Sequence, residues 1–193
     1  MPGFAEVASR FDASALAPYT FQNKTYALPE TLTFPMFFYR KDIFEELGLT
    51  VPETWDQMMA LIPVLQRHNM SMAFPTGLLG YSLVLFQNGG QLYQGDGVAS
   101  SLNTDVALDS FQEFTELFTL WRLPVEYDFP NRFRTGEMPC GIQDYSLYNH
   151  LTAFAPEIKG LWEFVPVPGK LDENGRPNRL SVAGGTNGMI MRG

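Results

Sequence analysis

The sequence has 193 residues, of which 45% are hydrophobic and 18% charged, so it is long enough for one large or two small domains with a substantial core. The formal net charge of −8, without a cluster of Lys and Arg, excludes a nucleic-acid partner, because binding to phosphates requires clustered cations. The single cysteine excludes an internal disulfide. No apolar run approaches the roughly 20 residues that a membrane-spanning helix needs.

The first third of the chain combines a helix-like opening with two strand patterns. Residues 25–28 have the pattern of a short strand that ends at Pro29. Residues 34–39, FPMFFY, predict a second strand that is buried on both faces. A short helix over 42–47 then ends at Gly48, which is typical of a helix C-terminus.

Two helices are predicted in the middle of the chain. Thr54 and Gln57 have the spacing of a capping box, which predicts a helix that reaches His68 and is kinked or restarted at Pro63. Residues 81–88 predict a second helix, which the following Gly-Gly pair ends.

The longest predicted helix covers residues 105–121, with Thr104 as its cap. Its apolar residues fall largely at spacings of three and four, which predicts that they face the core. These residues are Val106, Leu108, Phe111, Phe114, Leu117, Phe118 and Trp121.

Short elements alternate through the C-terminal part of the chain. The predicted elements are a helical turn over 132–136, a strand over 138–143, a helix over 145–154, a strand over 164–167, a turn at 172–178 (DENGRPN) and a strand over 182–191. Short strands that alternate with helices favour a layered α/β fold. Since nothing follows the last apolar strand to pack against it, we expect this fold to be incomplete.

Cys140 is a candidate nucleophile, with His68 or His150 as its base, because a thiolate beside a base or cation is reactive. The alternative is a small residue inside a buried strand, between Pro139 and Gly141. Free cysteines are among the most buried residues, so the sequence favours the structural role.

Four carboxylates are candidates for a glycosidase-like acid and base pair: Glu30, Glu126, Asp128 and Asp144. Hydrogen bonds to ligand hydroxyls or to neighbouring backbone explain these residues equally well. The DENGRPN segment lacks the alternating ligands of a calcium loop, and GGTNG lacks the spacing of a phosphate-binding loop. We therefore expect neither a metal nor a cofactor.

Aromatic residues make up 14% of the chain, which is more than a core of this size usually requires. Sugars bind by placing a C–H face on a ring while polar side chains take the hydroxyls. Several rings lie at predicted strand ends, where ligand clefts of α/β proteins open. The candidate rings are Tyr39, Phe86, Tyr93, Trp121, Phe129, Tyr145, Tyr148 and Trp162.

Long segments of the chain resemble the extracellular solute-binding proteins, family 1, of ABC sugar importers. The segment YALPETLTFPMFFYRKDIFEELGLTVPETWDQMMALIPVLQ resembles the family's first interlobe segment, with Tyr-Arg-Lys-Asp, Leu-Gly and Pro-x-Thr-Trp-Asp in order. The segments QNGGQLY, FRTGEMPCGIQDYSLYNHL, FVPVPG and VAGGTNGMIM follow in the family's order. The resemblance covers roughly residues 15–191, which makes it more specific than any one motif.

The resemblance implies an α/β fold of the type II periplasmic-binding-protein kind, with a mixed sheet flanked by helices. Family members have two lobes and about twice this length, so the chain is expected to be a fragment. Residues 1–33 would be a remnant of the first lobe with its crossover strand, 34–181 the second lobe, and 182–193 a strand that crosses back.

Seven residues are predicted to bind ligand: Glu30, Tyr93, Arg134, Asp144, Tyr145, Tyr148 and Trp162. By resemblance, Glu30 matches a crossover position that often bonds sugar, Tyr93 a ring position after Gly-Gly, and residues 144–148 a corner that supplies a stacking ring. Arg134 and Trp162 are added on their chemistry rather than on family positions.

The resemblance implies a solute-binding component of an ABC importer that captures a sugar or oligosaccharide in an interlobe cleft and presents it to permease subunits. We expect no catalysis, a monomer, and a location on the extracellular face of the bacterial membrane or in the periplasm, with a lipid anchor that this chain lacks. Two alternatives remain: a polysaccharide-active enzyme using Glu126 and Asp144, and a fragment with an exposed interaction patch.

Overall fold

The computed structural model describes residues 4–30, 33–95, 97–181 and 188–190. Its strands are β1 Thr20–Phe21, β2 Lys24–Thr25, β3 Ala27–Pro29, β4 Pro35–Arg40, β5 Met72–Ala73, β6 Cys140–Asp144, β7 Trp162–Pro166, β8 Lys170–Leu171, β9 Pro177–Asn178 and β10 Gly188–Ile190. Its helices are α1 Phe4–Ala8, α2 Ala13–Leu16, α3 Lys41–Glu46, α4 Trp55–Arg67, α5 Gly77–Gln87, α6 Asp105–Thr119, α7 Phe129–Thr135 and α8 Leu147–Phe154, with 3₁₀ turns at Ala17–Tyr19 and Pro156–Ile158.

The chain divides into two compact units. The smaller unit combines Met1–Phe34 with Ala183–Gly193, and the larger unit is Pro35–Val182. The assignment of lobes to 1–33, 34–181 and 182–193 stays a prediction. None of the helices in the described ranges combines the length and apolar character needed to cross a membrane.

Short strands build the smaller unit. The predicted strand over 25–28 is found as two strands, β2 and β3, because Tyr26 between them turns its amide to the carbonyl of Tyr19 at 2.9 Å. β3 pairs antiparallel with β10, with Leu28 opposite Met189. The rest of the strand predicted over 182–191 lies outside the described residues.

A four-stranded sheet organises the larger unit, in the order β5-β6-β4-β7. β4 is antiparallel to both neighbours and β5 is parallel to β6, so the predicted mixed sheet is confirmed. Tyr39 lies opposite Cys140, and Pro35 lies opposite Asp144. The amino end of β4 therefore lies beside the carboxyl end of β6.

Helices cover both faces of this sheet. Phe37 and Tyr39 of β4 pack into a core cluster with α4, α5 and α6, whereas Phe38 between them packs into a second cluster with α7 and α8. Both Phe rings are fully buried, which confirms that this strand is buried on two faces. Removing each ring from water stabilises the fold by about 1.5 to 3 kcal/mol.

The capping box of α4 is present as predicted. Thr54 Oγ1 accepts from the amide of Gln57 at 3.3 Å, and Gln57 Oε1 accepts from the amide of Thr54 at 3.3 Å. Pro63 lies inside this helix on its exposed side, and α4 continues through it to Arg67, so the helix does not restart there. The other alternative, a kink at Pro63, stays a prediction.

The core face of α6 differs from the prediction. Leu108 and Phe111 are 58% and 55% exposed, and Trp121 lies beyond the end of the helix and is also exposed, so their assignment to the core is wrong. The buried residues are Ala107, Ser110, Phe114 and Leu117. This stripe contains small residues because α5 packs closely there, and Asn88 at the end of α5 donates to Ser110 Oγ at 3.0 Å.

Several predicted bounds shift by a few residues. α5 begins at Gly77 instead of residue 81, and β6 extends to Asp144. The single turn predicted over 132–136 is a longer helix, α7, because the Asp128 side chain accepts from the amide of Asn131 at 3.2 Å and caps an earlier start.

Arg40 closes the end of the sheet at which β4 finishes, and we name this end the Arg40 edge. The side chain is almost fully buried, and it donates from Nη1 to the carbonyls of Phe133 at 2.9 Å and Arg134 at 3.0 Å. Nε and Nη2 form a two-pronged pair with Asp42, at 2.9 and 2.6 Å. The hydrogen bond from Arg40 holds the pKa of Asp42 below its usual value.

Candidate functional site

The opposite end of the sheet gathers the carboxyl ends of three strands. Asp144 ends β6 opposite Pro35, and Pro166 ends β7 opposite Met36. β5 runs parallel to β6, so its carboxyl end at Ala73 points the same way. We name this end the Asp144 edge; ligands of α/β proteins commonly bind beyond the carboxyl ends of strands.

Asp144 shapes the chain where it leaves the sheet. Its Oδ1 accepts from the amide of Ser146 at 2.8 Å, which closes a tight turn between β6 and the start of α8 at Leu147. Tyr145 lies inside this turn and is half-buried. The turn therefore sets the position of the aromatic side chain that follows the carboxylate.

Four rings form a continuous group that we name the aromatic row: Tyr145, Tyr148, Phe164 and Trp162. Tyr145 and Tyr148 are nearly parallel, with an angle of 6° and centroids 6.0 Å apart. Phe164 meets both tyrosines edge-on, at 5.4 and 5.9 Å, and Trp162 meets Tyr148 at 5.9 Å. The structure thus brings together three of the predicted site rings through a fourth that the sequence did not suggest.

The aromatic row rests on the core of the sheet. Phe38, which is fully buried, lies 5.5 Å from Phe164 and 6.0 Å from Trp162, measured between ring centroids. The rings are therefore held in place before any ligand arrives, which lowers the entropy cost of binding.

Tyr127 and Gln143 are polar groups beside this edge that the sequence did not suggest. The Tyr127 hydroxyl donates to the carbonyl of Phe74 at 2.8 Å, just after β5, and Gln143 Nε2 donates to the Tyr127 oxygen at 3.4 Å. Burial raises the pKa of Tyr127, so it stays a neutral donor. In the sequence, Gln143 could have been found from its position, since it directly precedes Asp144 in the same strand.

Tyr93 and Glu30 lie outside the aromatic row. Tyr93 is exposed in the loop between α5 and α6, where it pairs with Ser100. Glu30 is exposed directly after β3 and belongs to the smaller unit. Their roles in binding stay predictions that rest on the resemblance.

Arg134 lies at the Arg40 edge, away from Asp144. Its Nε donates to Glu157, and its carbonyl accepts from Arg40. Five residue steps along β4 separate the two edges, which corresponds to roughly 16 Å. Because an ion pair and a structural contact already account for Arg134, we leave it out of the site proposed below.

Cys140 has a structural environment. It is fully buried in β6, and burial strongly raises the pKa of its thiol, which disfavours the reactive thiolate. The DENGRPN segment is a turn in which Asp172 Oδ1 accepts from the amides of Asn174 and Arg176. Within the ranges that the structure describes, no group of three or more His, Cys, Asp or Glu residues is arranged to hold a metal.

The chemistry at the Asp144 edge suits a ligand with both apolar faces and hydroxyl groups. The aromatic row offers rings, while Asp144, Gln143 and Tyr127 supply acceptors and donors around them. Asp128 caps α7, which gives this carboxylate a structural role, and Glu126 is exposed on the segment before the helix.

Comparison with known proteins identifies similar chains. The family model described as bacterial extracellular solute-binding protein matches residues 2–137. A binding protein of Brucella abortus (strain 2308) is 27% identical over 172 residues, covering 80% of this chain and 41% of the relative. The multiple sugar-binding protein of Streptococcus mutans is 34% identical over 65 residues, which cover 34% of this chain and 16% of the relative.

A solved structure shows the same fold. The ABC transporter solute-binding protein of Thermotoga lettingae, bound with α-D-tagatose, superposes with a TM-score of 0.79 at 20% identity. The match covers 96% of this chain and 51% of that protein. The chain thus spans about half of that structure, and less than half of the Brucella relative.

Proposed function

Because the chain belongs to the bacterial extracellular solute-binding proteins, we propose that it captures a sugar or oligosaccharide for an ABC importer. The chain spans part of the length of its relatives, so this proposal concerns the protein to which the matched segment belongs. Two similar proteins support a carbohydrate, since one is a multiple sugar-binding protein and the other was solved with α-D-tagatose bound.

The observation that carries the proposal is the aromatic row beside the Asp144 edge. Tyr145 and Tyr148 lie parallel at the turn that follows a strand, next to a carboxylate and an amide side chain. Rings remove water from the C–H faces of a pyranose, and neighbouring polar groups replace the bonds that its hydroxyls made with water.

We propose further that the Asp144 edge forms one wall of a cleft between two lobes, to which Glu30 and Tyr93 also contribute. Closure around the sugar would then create the form that permease subunits recognise. A monomer at the extracellular face of the membrane or in the periplasm, held by a lipid anchor, completes this proposal.

Titration calorimetry against a panel of mono- and oligosaccharides tests the proposal, using the longest form of the protein that its gene specifies. We expect saturable binding of at least one sugar in a one-to-one complex, without turnover. Phe111→Ala serves as a control variant. It removes an exposed ring on the other side of the sheet, so it should leave the sugar affinity unchanged. Binding of peptides or amino acids alone would refute the sugar assignment.

The enzyme alternative predicts a different result. The family consists of solute-binding proteins, and we propose that this chain does not catalyse a reaction. Incubation with mixed glycans, followed by an assay for reducing ends, separates the two hypotheses. Release of sugar that Asp144→Asn abolishes would contradict our proposal and support catalysis through Glu126 and Asp144.

A further inference from the structure

A groove of about 460 Å³ continues from the aromatic row, away from the Asp144 edge. It lies between α8, the 3₁₀ turn Pro156–Ile158 and β7, and Tyr148, Trp162 and Phe164 line it. Its volume is within the range of about 300 to 1,000 Å³ that small-molecule sites occupy. The function proposed above uses these rings at the Asp144 edge but assigns no role to the space that they line together with α8 and the 3₁₀ turn.

We propose that the groove is a second carbohydrate subsite, which receives further units of a chain whose first unit stacks on Tyr145. This inference rests on the proposed function and deepens it. It names the substrate class as a linear oligosaccharide that is longer than the subsite at Tyr145 can cover.

Continuity of the rings is the first argument. Tyr148 belongs to both places: it lies parallel to Tyr145 at 6.0 Å and contacts Trp162 at 5.9 Å. Each ring is thus about 6 Å from the next, so a chain that contacts one of them comes close to its neighbour. Tyr148 is 39% exposed, which leaves part of its surface accessible to a ligand.

The polar groups around the groove are the second argument. Lys159 is exposed on its lining and offers a donor to hydroxyl groups, whereas the Glu163 carboxylate already accepts from the Tyr39 hydroxyl at 3.2 Å. The Thr152 hydroxyl donates to the carbonyl of Tyr148 at 2.7 Å, which leaves its oxygen as an acceptor. A sugar needs rings below and such groups at the side, whereas a purely apolar partner would leave the Lys159 ammonium buried and unpaired.

The position of β7 at the edge of the sheet allows one competing ligand, an extended peptide. β7 is the last strand in the sheet order, so an extended peptide could add to its outer side. Pro166 and Pro168 limit the backbone donors at its carboxyl end, and strand addition makes no use of the ring faces. The rings therefore favour the sugar, and a peptide becomes an outcome of the test.

The test measures affinity by calorimetry for a series of linear oligosaccharides, starting from the shortest sugar that binds. We expect affinity to rise with chain length in the natural protein. Trp162→Ala should weaken the longer sugars by about tenfold, the loss expected for one stacked ring, and should weaken the shortest sugar less than the longer ones.

Trp162 also packs on Phe38, so a second variant separates binding from folding. Thr152→Trp fills the groove from an exposed helix position without removing a core contact, and it should abolish the advantage of longer chains. Phe111→Ala is the control for loss of an exposed ring and should behave like the natural protein.

The outcomes distinguish the two proposals. Sugar binding that is independent of chain length, or unaffected by both groove variants, overturns the second subsite and leaves the proposed function intact. Absence of any sugar binding overturns both. Binding of an extended peptide that Thr152→Trp blocks, with no effect of this variant on sugars, assigns the groove to a peptide and also overturns the inference.

Discussion

The two edges of the sheet in the larger unit use the same strands but treat their polar groups differently. At the Arg40 edge, one buried guanidinium satisfies two backbone carbonyls and a carboxylate of the protein itself. At the Asp144 edge, a carboxylate shapes a turn that leads into rings which lie partly at the surface. Charge alone therefore does not mark a site, because the more deeply buried charge here has a structural role.

The largest effect is expected from a substitution of Phe38, which lies in the middle of β4 between the two edges. Phe38→Ala should lower the free energy of unfolding by about 4 kcal/mol, because it leaves a cavity under Trp162 and Phe164 in a fully buried layer. Urea unfolding measures this loss. The exposed Phe111→Ala should cost less than about 1 kcal/mol, and an equal loss in both variants would contradict the described packing.

The Arg40 edge should be structural only. Arg40→Leu leaves Asp42 and two carbonyls without their donor, which should cost about 3 kcal/mol in the free energy of unfolding, with sugar affinity unchanged. Arg132→Leu, which breaks an exposed pair with Glu137, should cost less than about 1 kcal/mol. A loss of affinity in folded Arg40→Leu protein would remove the distinction between the edges.

The Asp144 edge should respond in affinity rather than in stability. Tyr145→Ala should weaken sugar binding by about 2 kcal/mol if the ring stacks on a sugar, by analogy with the stacking of nucleic-acid bases. Tyr145→Phe keeps the ring and should retain most of the affinity. Calorimetry on variants with native circular dichroism tests this, and unchanged affinity in Tyr145→Ala would exclude Tyr145 from the site.

The smallest effect is a pH dependence at the Arg40 edge. Arg40 lowers the pKa of Asp42 in the folded state, so the stabilisation is fully present above the unfolded pKa of about 3.9. It is lost as the pH falls through the lower folded value. Asp42→Asn should therefore flatten the decline of the urea midpoint below about pH 4, and an unchanged decline would refute this linkage.

Local patterns predicted the elements that depend on neighbouring residues. The capping box at Thr54 and Gln57 and the doubly buried strand β4 follow from short-range spacing and from a run of rings, and both are found. The family resemblance supplied the fold class, which the matched model and the solved relative support independently.

Tertiary packing decided what the patterns missed. The buried stripe of α6 combines Phe114 and Leu117, which the apolar pattern predicted, with the small residues Ala107 and Ser110. The pattern missed the small residues, which lie where α5 packs, and favoured the exposed Leu108 and Phe111 instead. Tyr127 and Phe164 reach the Asp144 edge from distant parts of the chain, through a hydrogen bond to Phe74 and through strand pairing. The spacing of residues in the sequence does not indicate these long-range contacts.

The placement of the tryptophans has an optical consequence. Trp162 contacts Tyr148 in the aromatic row, so a ligand lying there would change the polarity around this indole. Trp55 is buried and donates to Gln87 at 2.6 Å, which shields its emission from such changes. Of the three tryptophans, Trp162 thus lies beside the proposed sugar path, Trp55 is shielded in the core, and Trp121 is exposed beyond the end of α6.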